Sequence, residues 1–221
     1  MILIVVLAAA AFLSVPEGRA LSKGQVANIR ASVIALGAMI EASPNEAELY
    51  FERALLQKKL GNYKSAAQDL KIVELLKYPH FRFELYTLKG LCDFLSGEYY
   101  KAVEDYNFAL QVNPRADYCY ANRACAFLKI HRYKLAINDC HQAIKLNSLA
   151  GAPFSTAAEC YYRSGQYKYA IDYSSKAIQR DPDDAKAYYF RGAAYRKIGQ
   201  KLAGDLDIAK AAKLGLKVKE L

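Results

Sequence analysis

The sequence has no tryptophan, and it has only three histidines and five cysteines among 221 residues. His80, His131 and His141 lack ligand spacing to one another or to a cysteine pair, and the CxxC spacing is absent, so no zinc site is predicted. The nucleophile-elbow, dinucleotide-binding and P-loop motifs are absent as well. We therefore expect a protein that is not an enzyme and that uses no metal and no cofactor.

The chain also lacks a long apolar run. Residues 2–15 carry no charge, but a helix needs about 20 residues to cross a bilayer core, so no stable membrane span is expected. This run is typical of the apolar part of a signal peptide, and the small residues Gly18 and Ala20 favour cleavage after Ala20. We expect residues 1–20 to be a signal peptide and the protein to be exported to a periplasm, a secretory lumen or the medium. No Lys or Arg directly follows Met1, so a membrane-anchored or cytoplasmic protein is the alternative.

Acidic residues are the scarcer charge, with 22 Asp and Glu against 31 Lys and Arg and a net charge of +9. Residues 186–221 hold nine basic and three acidic residues, which accounts for +6 of that charge. A basic excess confined to one end indicates an acidic partner near the C-terminus or a solvated basic face.

A repeat of about 34 residues is the main signal in the sequence. Five short turns begin 36, 34, 34 and 34 residues apart. The first residues of these turns are Gly61, Gly97, His131, Gly165 and Gly199. The spacing defines repeats over residues 47–82, 83–116, 117–150, 151–184 and 185–218. Such a period predicts stacked supersecondary units.

Small residues recur inside each repeat at positions where two antiparallel helices would touch. They stand at position 8 (Ala54, Gly90, Ala124, Ala158, Gly192), position 20 (Ala66, Ala102, Ala136, Ala170, Gly204) and position 27 (Val73, Ala109, Ala143, Ala177, Ala211). Position 4 is always aromatic, with Tyr50, Tyr86, Tyr120, Phe154 and Tyr188. The apolar spacing on both sides of each turn follows the helical period, so every repeat is predicted to be helix, turn, helix.

Glycine at a turn permits the left-handed backbone that ends the first helix. His131 must take the same conformation at some cost, or close its turn differently. Pro44, Pro114 and Pro182 mark the ends of second helices, because proline cannot continue the hydrogen-bond ladder.

These residues together resemble the tetratricopeptide repeat family, which has an aromatic residue at position 4, small residues at 8, 20 and 27, Gly-x-Tyr at the turn and Pro near 32. The resemblance covers residues 47–218. It implies an all-α fold, a right-handed α-solenoid of about five helix-turn-helix units. We interpret residues 21–46 as an N-terminal capping helix and residues 219–221 as a tail.

The resemblance implies a groove lined by positions 2, 5, 6, 9, 12 and 13 of the first helices, in which a protein or peptide segment binds. We expect it to change from largely apolar to basic and aromatic, so that it takes a peptide with acidic groups at one end. The residues assigned to the binding site are Phe51, Leu55, Phe94, Asn122, Tyr162, Arg163, Lys186, Tyr189, Arg196 and Lys197. Leu88, Leu91, Leu95 and Phe190 occupy further groove positions, although ordinary helix packing is an equal alternative for the leucines.

Two other functions fit parts of the pattern. The third repeat is similar to the middle repeat of chaperone-binding domains that grip a C-terminal carboxylate. Only Asn122 matches that clamp, since Thr87 and Thr156 stand where charged partners are needed. A helical-repeat RNA binder shares the period and the positive charge, but the small residues disagree with it, so nucleic acid is not the expected ligand.

Two features concern assembly. Cys119 and Cys140 lie on facing helices of the third repeat, where an exported protein could form a disulfide, although two buried thiols are the leading interpretation. Leu202, Leu206 and Ala209 on the last helix have no predicted cover, so this face is expected to form an oligomer or to meet the C-terminal tail.

Overall fold

The computed structural model describes residues 21–77, 82–147 and 149–217. The signal peptide expected at residues 1–20 and the tail at residues 219–221 lie outside the described residues. Within these ranges the protein contains eleven helices and no strand, which confirms the predicted all-α fold. No helix in the described ranges is long and apolar enough to span a bilayer.

The helices follow one another in pairs after a single leading helix. They are α1 (Lys23–Ala42), α2 (Ala47–Lys59), α3 (Tyr63–Leu75), α4 (Arg82–Leu95), α5 (Tyr99–Val112), α6 (Asp117–Lys129), α7 (Tyr133–Leu146), α8 (Ala152–Arg163), α9 (Tyr167–Arg180), α10 (Ala185–Lys197) and α11 (Lys201–Lys213). Each of the five repeats therefore supplies a first helix (α2, α4, α6, α8, α10) and a second helix (α3, α5, α7, α9, α11).

Local sequence starts several of these helices. Ser22 accepts a hydrogen bond from the backbone N–H of Gln25, whose side chain accepts one from the backbone N–H of Ser22, so α1 begins with a capping box. Asp184 accepts a hydrogen bond from the backbone N–H of Ala187 at the start of α10.

The five turns share one geometry. The backbone φ is 78° at Gly61, 85° at Gly97, 78° at Gly165 and 87° at Gly199, and His131 takes the same left-handed conformation at 60°. In each turn the residue after the left-handed one donates its backbone N–H to the carbonyl five residues earlier, as from Arg132 to Phe127 at 2.8 Å. This hydrogen bond is the Schellman closure of a helix end. His131 thus closes its turn with the same backbone conformation as the glycines, at the conformational cost of a left-handed φ for a residue with a Cβ.

The chain divides into two compact bodies, Met1–Asp105 and Tyr106–Leu221. The N-terminal body is centred on branched apolar side chains such as Ile29, Leu36 and Leu70. The C-terminal body has a core richer in small residues, including Ala136, Cys140 and Cys160, with Tyr161 filling part of the space. Small side chains let helix backbones approach closely.

Residues at positions 8, 20 and 27 are buried in all five repeats. The two helices of the fifth repeat approach closely, since a Cβ added at Gly192 would lie 2.7 Å from the carbonyl oxygen of Gly204. A Cβ at Gly204 would lie 2.6 Å from Cγ of Arg196. Glycine at both positions therefore brings α10 and α11 nearer than alanine would allow.

A cation–carboxylate tie joins the two helices of four repeats. The cation is at position 7 and the Asp at position 23, with N to O distances of 2.6 to 2.9 Å. The four pairs are Arg53–Asp69, Lys89–Asp105, Arg123–Asp139 and Arg191–Asp207. Each cation also lies over the aromatic ring at position 4, at 5.4 to 5.9 Å from the ring centroid.

Cys119 and Cys140 are both fully buried, and none of the five cysteines forms a disulfide. The disulfide considered for this pair is therefore not present in the structure. Cys140 packs among Ala124, Ala136 and Cys160 as a small apolar group, which is the usual role of a buried thiol.

Candidate functional site

The apolar residues at groove positions of the N-terminal body range from buried to exposed. Phe51 and Leu55 on α2 pack partly against the hydrophobic core, and the ring of Phe94 on α4 lies 5.4 Å from that of Tyr99. Leu88 belongs to the core, whereas Leu95 is 44% exposed. These residues leave a narrow apolar surface on α2 and α4, part of which already serves helix packing.

An aromatic patch lies on α8 and α10 of the C-terminal body. Tyr162 is half-buried, with its ring 5.6 Å from Phe190 and 5.8 Å from Tyr167. Tyr189 meets the edge of Phe190 at 5.2 Å. Burial raises the pKa of Tyr162, and Tyr189 raises it further. Two partly exposed tyrosines therefore rest on a buried phenylalanine.

Phe190 itself is only 1% exposed, which corrects its assignment to the groove surface. Its side chain turns into the packing between the helices, so it supports the two tyrosines and does not face a ligand. We use the name aromatic patch below for Tyr162 and Tyr189.

A polar strip connects α6 with α8 and α10. The Sγ of Cys125 on α6 lies 3.8 Å from Oγ1 of Thr156 on α8. Burial raises the pKa of the Cys125 thiol, while the Thr156 hydrogen bond and the positive charge of Lys186 on α10 act in the opposite direction. Asn122, one turn before Cys125, is half-buried on the same helix. Three first helices therefore contribute side chains to one surface.

The four basic residues assigned to this region differ in their surroundings. Arg163 forms an ion pair with Glu159 at 2.7 Å on the same helix, and Arg196 forms one with Asp205 of α11 at 3.0 Å. Lys186 and Lys197 are exposed, and neither forms an ion pair with another residue of the described ranges. These two lysines carry the positive charge that remains for a ligand.

Cys125, Thr156 and Glu159 were not among the residues predicted to bind. They occupy positions 9, 6 and 9 of the groove pattern, so the same positional rule would have included them. They were left out because the predicted binding residues were chosen for apolar or positive side chains. Only the structure shows that Glu159 forms an ion pair with Arg163.

No known protein-family profile matches the chain, and no curated protein matches its sequence.

Solved structures do match in three dimensions. The chain is similar to YrrB, described as a TPR protein with an unusual peptide-binding site, with 18% identity, a TM-score of 0.65, and 85% of this chain and 95% of that chain covered. It is similar to MamA from Desulfovibrio magneticus RS-1, with 20% identity, a TM-score of 0.69 and coverages of 76% and 94%. It also matches the C-terminal part of a TPR repeat-containing protein from Cytophaga hutchinsonii, with 17% identity, a TM-score of 0.68 and coverages of 85% and 74%.

Identities at this level establish the fold and nothing finer. The TM-scores of 0.65 to 0.69 extend over most of the chain. The chain therefore has the fold of the tetratricopeptide repeat proteins, as its residue pattern predicts.

Proposed function

We propose that the protein is a non-enzymatic interaction scaffold that binds peptide segments of partner proteins on its first helices. The observation that carries this proposal is the aromatic patch, which lies on α8 and α10 together with exposed Lys186 at the start of α10 and exposed Lys197 at its end. Tyrosine is favoured at protein interfaces because it combines a large apolar ring with a polar end.

The ligand is proposed to be acidic. Glu159 neutralises Arg163, and Asp205 neutralises Arg196, so Lys186 and Lys197 supply the net charge. A carboxylate of the peptide would pair with one of these lysines while an apolar side chain rests on the aromatic patch. The peptide-binding site named for YrrB is consistent with this role, although at 18% identity it argues only by analogy.

The setting is proposed from the sequence. If residues 1–20 are a signal peptide, the scaffold works in an envelope, secretory or assembly complex. Mass spectrometry of the native protein after subcellular fractionation tests this: a mature chain beginning at Leu21 in an exported fraction supports export. An intact chain from Met1 in the cytosol contradicts it.

Peptide arrays test the binding role. Fluorescence anisotropy then measures the dissociation constants of selected acidic peptides and of neutral versions that carry Asn and Gln. For the acidic peptides, Lys186→Glu and Lys197→Glu should each raise the dissociation constant at least tenfold. The neutral peptides should show little change. Lys168→Glu reverses an exposed charge on α9 and is the matched control. Equal losses for both peptide sets would contradict the acidic ligand.

The same measurements address the RNA alternative. Single-stranded RNA should bind weakly and without dependence on Lys186. Tight binding that falls steeply between 50 and 200 mM salt, with no acidic peptide bound, would overturn the scaffold proposal, because such a slope reports phosphate contacts.

A further inference from the structure

The fourth repeat departs from the tie that joins the helices elsewhere. Position 7 is Ala157 instead of a cation, and position 23 is Tyr173 instead of Asp. In the third and fifth repeats the position-7 arginine also reaches position 25 of the preceding second helix, as Arg123 does to Asn107 at 2.7 Å. The fourth repeat cannot make this contact, because the side chain of Ala157 ends at Cβ.

His141 occupies the position that an arginine at position 7 of the fourth repeat would contact. It is at position 25 of the third repeat, and its Nε2 lies 2.8 Å from the Tyr173 hydroxyl and 3.4 Å from that of Tyr161. Burial lowers the pKa of His141, because it disfavours the charged imidazolium. The residue pattern assigned no role to His141, and the structure places its ring nitrogen between the hydroxyls of two tyrosines.

Aromatic rings pack around this histidine. The centroid of Tyr173 lies 5.7 Å from His141, 5.0 Å from Tyr161 and 6.0 Å from Phe154. These rings come from α7, α8 and α9. They hold one another in place, so the polar atoms of His141 and Tyr173 have a defined position.

A cavity of about 540 Å³ opens beside these rings. Phe154, Tyr173 and His141 line one side, and Lys145, Lys176 and Arg180 are the charged residues of its lining. Lys176 lies 5.0 Å from the centroid of the Tyr173 ring and Arg180 lies 4.1 Å from that of Phe154, so two of the cations are stacked on the rings.

The charge of the cavity lining is of one sign. No carboxylate belongs to the described residues that line it. Lys176 pairs with Asp172 at 2.7 Å, a residue outside the lining, whereas the lining itself contributes the three cations Lys145, Lys176 and Arg180. An anion at this place would meet cations, a hydroxyl and an imidazole, while apolar parts would contact the rings.

We propose that this cavity on the second helices α7 and α9 binds a small organic anion, a carboxylate or a phosphate ester that carries an apolar or aromatic group. The volume is within the 300–1,000 Å³ range common for small-molecule sites. The site is separate from the aromatic patch on the first helices, and it stands whether or not that patch binds peptides.

Phenyl phosphate is the probe for this site, with phenol as its neutral analogue. We expect titration of phenyl phosphate into the full chain, monitored by ¹⁵N–¹H spectra, to change the chemical shifts of the His141 side chain. The chemical shifts of exposed His131 should stay unchanged. Calorimetry should give a dissociation constant that rises at least tenfold in the Lys145→Gln, Arg180→Gln double variant. Lys168→Gln is the matched control and should bind as the parent does.

Circular dichroism of each variant establishes that loss of binding is not loss of fold. Absence of binding to the parent protein would overturn the proposal, and so would unchanged binding by the double variant. Equal affinity for phenol would also overturn it, because an uncharged ring should gain nothing from the cations. If an acidic peptide shifts His141 and phenyl phosphate does not, the site belongs to a macromolecular partner instead.

Discussion

His131 occupies the left-handed turn position that glycine holds in the other four repeats. Its Nδ1 lies 2.9 Å from the hydroxyl of Tyr133, which fixes the ring over the start of α7. A residue with a Cβ is strained in this conformation by about 1–2 kcal/mol. The turn therefore forms because the helices on either side define its geometry. Glycine lowers the conformational strain of the left-handed backbone at this position.

Substitution of a turn glycine should measure that strain directly. Nothing lies within 4 Å of a Cβ added at Gly165, so Gly165→Ala changes only the backbone preference at a φ of 78°. We expect it to lower the free energy of unfolding by about 1 kcal/mol in urea denaturation. Gly37→Ala inside α1, where the Cβ meets only Arg53 at 3.7 Å, should raise it by about 0.5–1 kcal/mol.

Asp105 is the most perturbed carboxyl of the N-terminal body. Burial is the main cause that raises the pKa of Asp105 to about 7, with the neighbouring Asp93 acting in the same direction and the Lys89 ammonium opposing both. The Asp105 carboxyl therefore keeps its proton to a higher pH in the folded protein than in the unfolded chain. An unfolded chain releases that proton near pH 3.8, so the folded state binds more protons between about pH 4 and 7. This contribution to stability is complete below pH 4 and is lost as the pH rises through 7.

Asp93→Asn should flatten this pH dependence, because an amide removes the like charge from Asp105. We expect the fall in the free energy of unfolding between pH 5 and pH 8 to be about 1 kcal/mol smaller in Asp93→Asn than in the parent, which corresponds to roughly one pKa unit. Urea denaturation at both pH values measures it. Glu104→Gln on exposed α5 surface is the control and should leave the slope unchanged. An Asp93→Asn variant with the same dependence of stability on pH as the parent would contradict the influence of Asp93 on the pKa of Asp105.

At the scale of helix pairs, the cation–carboxylate tie joins the facing helices in four of the five repeats. Arg123 donates to both carboxylate oxygens of Asp139 at 2.7 and 2.8 Å, and both side chains are mostly buried. Such a bidentate pair has a fixed geometry. Its third contact, to Asn107, extends it to the neighbouring second helix α5.

Breaking this tie on one side should be costly. Asp139→Ala leaves the Arg123 cation without its partner, and we expect the free energy of unfolding to fall by about 2–3 kcal/mol. The apolar replacement Arg123→Met with Asp139→Leu should recover most of that loss, since no charge is then left buried. Chemical denaturation of the parent, Arg123→Met, Asp139→Leu and the double variant gives the coupling energy. Additive losses would show that the pair does not act as a unit.

At the scale of the whole molecule, the last helix presents an apolar face. Leu202 and Leu206 of α11 are 78% and 66% exposed, one helical turn apart. Solenoids need a polar end to stay soluble as monomers. The structure thus leaves exposed the face that the sequence predicts to lack a cover.

We expect this face to drive self-association. Sedimentation equilibrium should show concentration-dependent dimers of the parent protein, and Leu206→Glu should abolish them by placing a charge on the face. Leu135→Glu alters another exposed leucine, 47% exposed on α7, and serves as the control. A parent protein that stays monomeric at all concentrations would contradict this expectation.

The residue pattern alone determined the helix pairs, their turns and the small residues between them. These features depend on residues close in sequence, whose spacing follows the helical period and the left-handed turn. Even His131 was placed correctly in its turn, because its neighbours repeat the pattern of the other repeats.

Tertiary structure decided which groove side chains remain available to a ligand and which are engaged within the fold. Phe190 is buried, and Arg163 and Arg196 are paired with Glu159 and Asp205. The cavity beside His141 is lined by residues of two repeats, with His141 from the third and Tyr173 from the fourth. Such contacts depend on side-chain direction and on packing between distant segments, for which a periodic pattern carries no information.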